Sequence, residues 1–217
     1  QDFFLYKAKN GAAGVIYQWI NSNNEYYRYT DVHGTHLTFV RDVSNPSTPG
    51  PMYFWMVEDA AGQKSYMGSS TTSLSGGDDS DGDPILAYDA SGRKYVYTYS
   101  SAAIGGVKRL LQVQVQESGT SSTLVQQVDY DYYGSGASSD ANGSSGDLRL
   151  VTLTTPLSDG STTLVQSKYY RYYTGTYNSS SNPGYPHQVK LALGFEGVRQ
   201  FGLSGLAGAN DSALKPY

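Results

Sequence analysis

The chain has 217 residues, with 25 Gly and 21 Tyr against 6 Phe and 2 Trp, and carries a net charge of −4 on only 16% charged side chains. That balance argues against a protein that tracks nucleic-acid phosphates, and no stretch approaches the roughly 18 apolar residues of a membrane-spanning helix. With no cysteine, disulfides, thiolate metal sites and a cysteine nucleophile are all excluded.

Taken in order, the sequence alternates between short strand-period runs and turn residues. Phe3–Lys9 ends at the Asn10-Gly11 turn signal. Val15–Ile20, Glu25–Thr30 and His36–Arg41 follow, separated by the polar turns Asn21–Asn24 and Asp31–Gly34. A turn about every ten residues suits hairpins and does not suit helices. Asn45–Pro51 holds three of the eight prolines and reads as a loop. Met52–Glu58 is the most apolar run and turns through Asp59–Gly62 into Gln63–Met67. Gly68–Pro84, rich in Ser, Thr, Gly and Asp, reads as an exposed insertion.

From Ile85 the pattern sharpens. Ile85–Ser100 is strand, Asp-Ala-Ser-Gly-Arg turn, and a strand alternating Tyr95, Tyr97 and Tyr99. Arg109–Gln116 pairs with Leu124–Tyr133, and Asp147–Thr155 with Thr163–Tyr173 across Ser158-Asp159-Gly160. His187–Leu193 alternates again. No window sets apolar residues at i, i+3, i+4 and i+7 over three turns with caps, so the fold class expected is all-β, built of consecutive antiparallel hairpins. One hairpin with a single apolar face cannot bury it alone, so neighbours must join into a continuous sheet. Residues 1–84 are expected to form a β-rich amino-terminal portion with the acidic Ser/Gly-rich loop, and 85–217 a repeat segment.

The recurring unit, an alternating strand, an Asp/Ser/Gly turn and a strand ending in Tyr-x-Tyr, resembles the YD-repeat (RHS-repeat) family of large bacterial secreted and cell-surface proteins. The resemblance rests on Leu86–Tyr99, on Arg109–Gly134, on Gly146–Leu153, and above all on the run Tyr169, Tyr170, Arg171, Tyr172, Tyr173 with Gly184-Tyr185-Pro186-His187 and the following Val-Lys strand. It is strongest over 85–217 and general over 1–84. It implies a β-sheet strip wound into a shell, in a toxin casing or a surface protein, with those five residues and His187 as structural family positions. The family's Asp-Pro autoproteolysis signature is absent. Phe201–Ala209 has only its Gly-Leu flavour, so no peptidase role is carried over. The start at Gln1 without an initiator Met, and an end where another hairpin would be expected, read as a processed chain or a fragment of a longer one.

Chemistry is sparser. Asp79, Asp81 and Asp83 place carboxylates at alternate positions, as a calcium loop does. An EF-hand fails, because Pro84 stands where Gly is needed and Ala90 where Glu is needed. A solvated acidic tip is the favoured reading, with weak Ca²⁺ at Asp79, Asp81 and Asp83 the alternative and no other cofactor expected. His33 and His36, three apart, read as solvated turn residues before a metal-chelating pair, and His187 as a structural hydrogen bond where the hairpin returns. Glu58, Glu117, Asp129, Asp131 and Glu196 have no evident link into an acid pair, and no nucleophile elbow, P-loop or dinucleotide fingerprint occurs. The Tyr strips read as cross-strand pairs before sugar-stacking surfaces. Asn142, Asn178 and Asn210 head matches to the glycosylation sequon in Ser-rich loops. The expectation is therefore a structural, non-enzymatic segment of an exported extracellular or surface protein. Its partners would be further repeats of the same polypeptide or identical subunits, with glycan adhesion or toxin casing as alternatives.

Overall fold

Period-two alternation puts successive side chains on opposite faces, so each run can only be stabilised by strands laid beside it. The computed structural model describes residues 3–7, 14–68, 77–79, 81–118, 123–135, 141–178, 180 and 182–216, with the backbone alone at 3–7 and 203. Among these, thirteen strands occur, and each one's hydrogen-bonded neighbours in the sheet are its neighbours in the chain. The chain thus forms the all-β strip of antiparallel hairpins that the alternation predicts. It packs as two compact units, Gln1–Val96 with Glu117–Ser121, and Tyr97–Gln116 with Ser122–Tyr217.

The first unit contains β1 (Phe3–Lys7), β2 (Gly14–Asn21), β3 (Asn24–Asp31), β4 (His36–Asp42), β5 (Tyr53–Glu58), β6 (Lys64–Met67), β7 (Leu86–Tyr88) and the opening of β8 (Lys94–Tyr99). Its core is Val40, Trp55 and Met56, with Tyr26 and Tyr66 packed against them. Consecutive Trp55 and Met56 can both be buried because the register slips between them: Thr38 faces Met56 while Phe39 already faces Phe54. Cross-strand aromatic pairs are in register, as expected. Trp19 stacks on Tyr26 at 5.0 Å, and Tyr66 on Tyr88 at 5.2 Å.

Four turns of this unit share one design. Asp31, Asp59, Asp79 and Asp89 each use Oδ1 to accept the amides two and four residues on, while the amide of the glycine at the fourth turn position donates to the Asp carbonyl. Those glycines, Gly34, Gly62, Gly82 and Gly92, all have φ between 81° and 84°, where a Cβ would be strained. The acidic insertion is also less exposed than composition suggests. Gly77 is buried, and a Cβ on Gly82 would overlap the Tyr53 ring, so this turn lies back on the sheet. Residues 69–76 and Ser80 of that insertion lie outside the described residues.

The second unit holds the rest of β8, then β9 (Leu110–Gln116), β10 (Leu124–Tyr132), β11 (Leu148–Pro156), β12 (Thr162–Tyr172) and β13 (Val189–Leu193). Beyond β13 the chain leaves the sheet. The chain forms α1 (Phe195–Gly208), broken at Gly202 (φ 61°, ψ 167°), and α2 (Asp211–Leu214). The first lacks a side-chain N-cap and carries glycines inside, so local propensity alone would not form it. It is held by burial: Val198, Leu206 and Leu214 close over Leu150, Tyr169 and Leu193 on one face of β11–β13. No helix among the described residues is long and apolar enough to cross a membrane.

Candidate functional site

The Tyr-Tyr-Arg-Tyr-Tyr run lies at the end of β12, and alternation splits its roles. Ser167, Tyr169 and Arg171 are buried towards the helices, and Tyr170 and Tyr172 are half-buried on the opposite face. Tyr169 faces Leu150 on one side and Leu193 on the other, so it fills core rather than pairing with another ring across the strands. Arg171 is 2% exposed. Its Nη1 donates to Asp211 Oδ1 at 2.7 Å, its Nη2 donates to the Leu206 carbonyl, and its guanidinium lies 5.9 Å from the Tyr169 ring centre. Lys190 Nζ reaches the other oxygen of Asp211 at 2.5 Å. Burial alone would raise the Asp211 pKa, but the hydrogen bonds from Lys190 and Arg171 outweigh it and hold the carboxyl below its ordinary range. Arg171 is thus the strut that ties the helices to the sheet.

The remaining motif residues belong to a loop closure that occurs twice. Tyr132 Oη donates to the Leu110 carbonyl at 2.8 Å, and Tyr172 Oη donates to the Leu148 carbonyl at 2.9 Å, one hairpin further on. Next along the chain, the Tyr133 amide donates to the Asp147 carbonyl and the Gly146 amide returns to Tyr133. The Tyr173 amide likewise donates to Gln188, and the His187 amide returns to Tyr173. A glycine lies against the ring each time, Gly143 under Tyr133 and Gly184 under Tyr173, and a Cβ on either would overlap the ring. His187 therefore stands where the preceding loop has Gly146, and like it has positive φ, 68° against 92°. Its Nδ1 lies 2.8 Å from Asp147 Oδ1, the structural hydrogen bond at the hairpin's return. Burial, with Asp147 and Tyr170 nearby, pushes the Tyr172 phenol up to about 12.

Asp79, Asp81 and Asp83 do come together, with one carboxylate oxygen from each within 4.8 Å of the others. Asp79 Oδ1 is engaged by the amides of Asp81 and Asp83, as its counterparts at Asp31, Asp59 and Asp89 are in turns without that acidic cluster. The turn accounts for Asp79 without an ion. The other candidates are dispersed. His33 is an exposed turn residue, and His36 Nδ1 lies 2.8 Å from Thr30 Oγ1. Asp129 and Asp131 are half-buried rather than simply solvent-facing, the first held by Gln112 and Gln127 and the second by Arg149 and Ser135. Glu58 lies 3.8 Å from Lys64, and Glu196 pairs with Arg199. Of the sequon asparagines, Asn142 bonds the Ala207 carbonyl, Asn178 accepts the Ser180 amide, and Asn210 caps α2 by accepting the Ala213 amide.

Sequence reasoning did not find Asp211, Lys190 or Asp147 as partners of the motif. The one local signal was Asn210-Asp211-Ser212, a helix-cap pattern that also fits a sequon.

The sequence matches no protein-family model and no curated protein. Among solved structures, the chain is similar to the N-terminal domain of effector protein SpvB from Salmonella typhimurium strain LT2. The identity is 11% and the TM-score 0.44, over 89% of this chain and 73% of that one.

Proposed function

We propose that the chain is a structural wall segment: a YD-repeat-like β-strip of an exported surface or extracellular protein, extended by adding hairpins and performing no chemistry of its own. The observation that carries this reading is the repeated closure. Tyr132 to Leu110 and Tyr172 to Leu148 are the same bond one hairpin apart, and the loops after them return the chain to the same place in the sheet. A unit that ends by positioning the first strand of the next can be repeated without redesigning its neighbours. Among the described residues, the end strands β1 and β13 each have a strand neighbour on one side, and such edges recruit more strands. The partners are therefore further repeats of the same polypeptide or identical subunits. The Tyr-rich, lightly charged composition and the resemblance over 85–217 support an exported setting and a shell or fibre wall, with toxin casing a special case of it.

The test is duplication. A second copy of residues 110–147 inserted after Asp147 should fold as two extra strands, because Leu110 then follows Asp147 as Leu148 does. The expected product melts cooperatively, gains strand signal in circular dichroism, and lengthens by roughly 10 Å for two inter-strand spacings in small-angle scattering. An inserted copy that is proteolysed as a loop while the rest stays folded would overturn the modular reading.

A further inference from the structure

One face of the first unit carries a second feature that the wall role does not use. β2, β3 and β4 place Tyr17 opposite Arg28, Trp19 opposite Tyr26, and Thr30 opposite His36, all on the same face. Tyr17, Trp19, Arg28, Thr30 and His36 line a cleft of about 300 Å³, within the size range of small-ligand sites. Tyr17 is 42% exposed. Trp19 is fixed from the side by its stack on Tyr26, which packs in turn on Trp55.

The polar groups here are poorly satisfied by the protein itself. Among the described residues, the Arg28 guanidinium donates no hydrogen bond, and its Nε is buried without a partner. It lies 5.7 Å from the Trp19 ring centre and 4.0 Å from Glu58 Oε2, which Lys64 also approaches at 3.8 Å. Thr38, the cross-strand partner of Arg28 on the same face, is fully buried, and its hydroxyl has no partner either. Buried polar groups are almost always paired, so the unpaired Nε of Arg28, a residue that lines the cleft, calls for an acceptor. In the tautomer in which Thr30 donates to His36 Nδ1, the His36 Nε2–H is a further donor.

We propose that this cleft binds an acidic saccharide, a pyranose ring carrying a carboxylate. The ring's apolar face would lie on Tyr17, the carboxylate would take the fork of Arg28, and hydroxyls would meet Thr30 and His36. A single carboxylate fits the charge. Arg28 and Lys64 both flank Glu58, which leaves one net positive charge, so a monoanion balances the site, whereas a doubly charged phosphate would leave it net negative. A neutral sugar would offer the Arg28 Nε no charged acceptor.

Trp19 and Trp55 are the two tryptophans of the chain, and both lie on or next to this face, so intrinsic fluorescence reads the site directly. The whole chain is titrated with D-glucuronate, a galacturonate trisaccharide, D-glucose and inorganic phosphate. The expected result is a saturable change with the two uronates, tighter for the trisaccharide, and none with glucose. Binding should weaken at least tenfold in Tyr17→Ala, whose ring is 42% exposed, with circular dichroism confirming the fold, and be lost in Arg28→Gln. An equal response to phosphate would reduce the site to a general anion patch and overturn the proposal. An equal response to glucose, silence with all four, or binding unaltered in Tyr17→Ala would overturn it as well.

Discussion

Arg171 and Asp211 meet at 2.7 Å across forty residues of chain, joining β12, the last strand but one, to the first turn of the last helix. The pair decides whether the carboxy-terminal segment stays on the sheet, because Arg171 is 2% exposed and its Nη2 donates to the Leu206 carbonyl. Asp211→Ala leaves that guanidinium buried beside one carbonyl. The expected loss is about 3 kcal/mol, the low end for breaking a buried pair, since Asp211 keeps a quarter of its side chain in water. Urea unfolding followed by near-ultraviolet circular dichroism measures it. A loss no larger than that of an exposed pair such as Glu196–Arg199 would show that the apolar contacts alone hold the helices.

The same carboxylate sets an acid limit. The folded Asp211 pKa lies below its unfolded value, because the bonds from Lys190 and Arg171 outweigh burial. The stabilisation is thus fully present above the unfolded pKa of about 3.9 and fades as the pH falls through the lower, folded value. Glu25 has the same sign: burial acts to raise it, but Arg41, Gln18 and Tyr27 outweigh that and hold it low. Stability should therefore fall between about pH 5 and pH 2, and Asp211→Asn should be less stable at neutral pH with a shallower acid slope. Parallel acid slopes for the two proteins would refute the assignment.

Much of this architecture is legible in the sequence because its rules are local. Period-two alternation and the Asp-x-x-Gly turns locate the hairpins from β2 to β12 within one or two residues. The helices after β13 are not legible. Gly202 breaks α1, no side chain caps its start, and what stabilises it is Leu150, Tyr169 and Leu193, up to fifty residues earlier. Tyr169 is misjudged for the same reason. In a strand-only fold its partner would be another ring, and only the helix layer turns it into core. The Thr30–His36 contact and the unpaired Arg28 depend on strand register, which motif spacing does not reveal.

The shared turn gives a clean backbone prediction at Gly62. Its φ is 82°, and a Cβ there would meet nothing closer than Glu58 Oε1 at 4.0 Å, so a substitution is penalised by conformation and not by crowding. Gly62→Ala should cost roughly 1–2 kcal/mol, and Gly62→Asn clearly less, since Asn tolerates the left-handed region. Thermal melts of both variants decide it. Equal melting temperatures for Ala and Asn would mean that the turn relaxes to another conformation.

Asp79 should behave as a turn residue first. Asp79→Ala removes the acceptor for the Asp81 and Asp83 amides and should destabilise the chain about as much as Asp89→Ala, by roughly 1 kcal/mol. Asp79→Asn, which keeps the acceptor, should be near neutral. With the carboxylate already engaged, melting in millimolar CaCl₂ and in EDTA should coincide. A rise in melting temperature with CaCl₂ that Asp79→Asn abolishes would instead establish an ion at Asp79, Asp81 and Asp83.

His187 and Gly146 occupy equivalent positions, and their exchange separates backbone demand from side-chain chemistry. His187 holds φ 68° at a strain cost of roughly 1–2 kcal/mol, offset by its bond to Asp147, in which the His187 side chain is 63% exposed and contributes little. His187→Gly relieves the strain, loses the bond and adds chain entropy, so its net change should lie within about 1 kcal/mol of zero. Gly146 is different. A Cβ there would lie 2.7 Å from Arg109 Nη2 and 3.0 Å from Gly105 Cα, on top of a φ of 92°. Gly146→His combines strain with overpacking and should cost roughly 2–4 kcal/mol, read from urea midpoints. If both exchanges were equally harmful, His187 would be held by its contact to Asp147 and not by the loop closure it shares with Gly146.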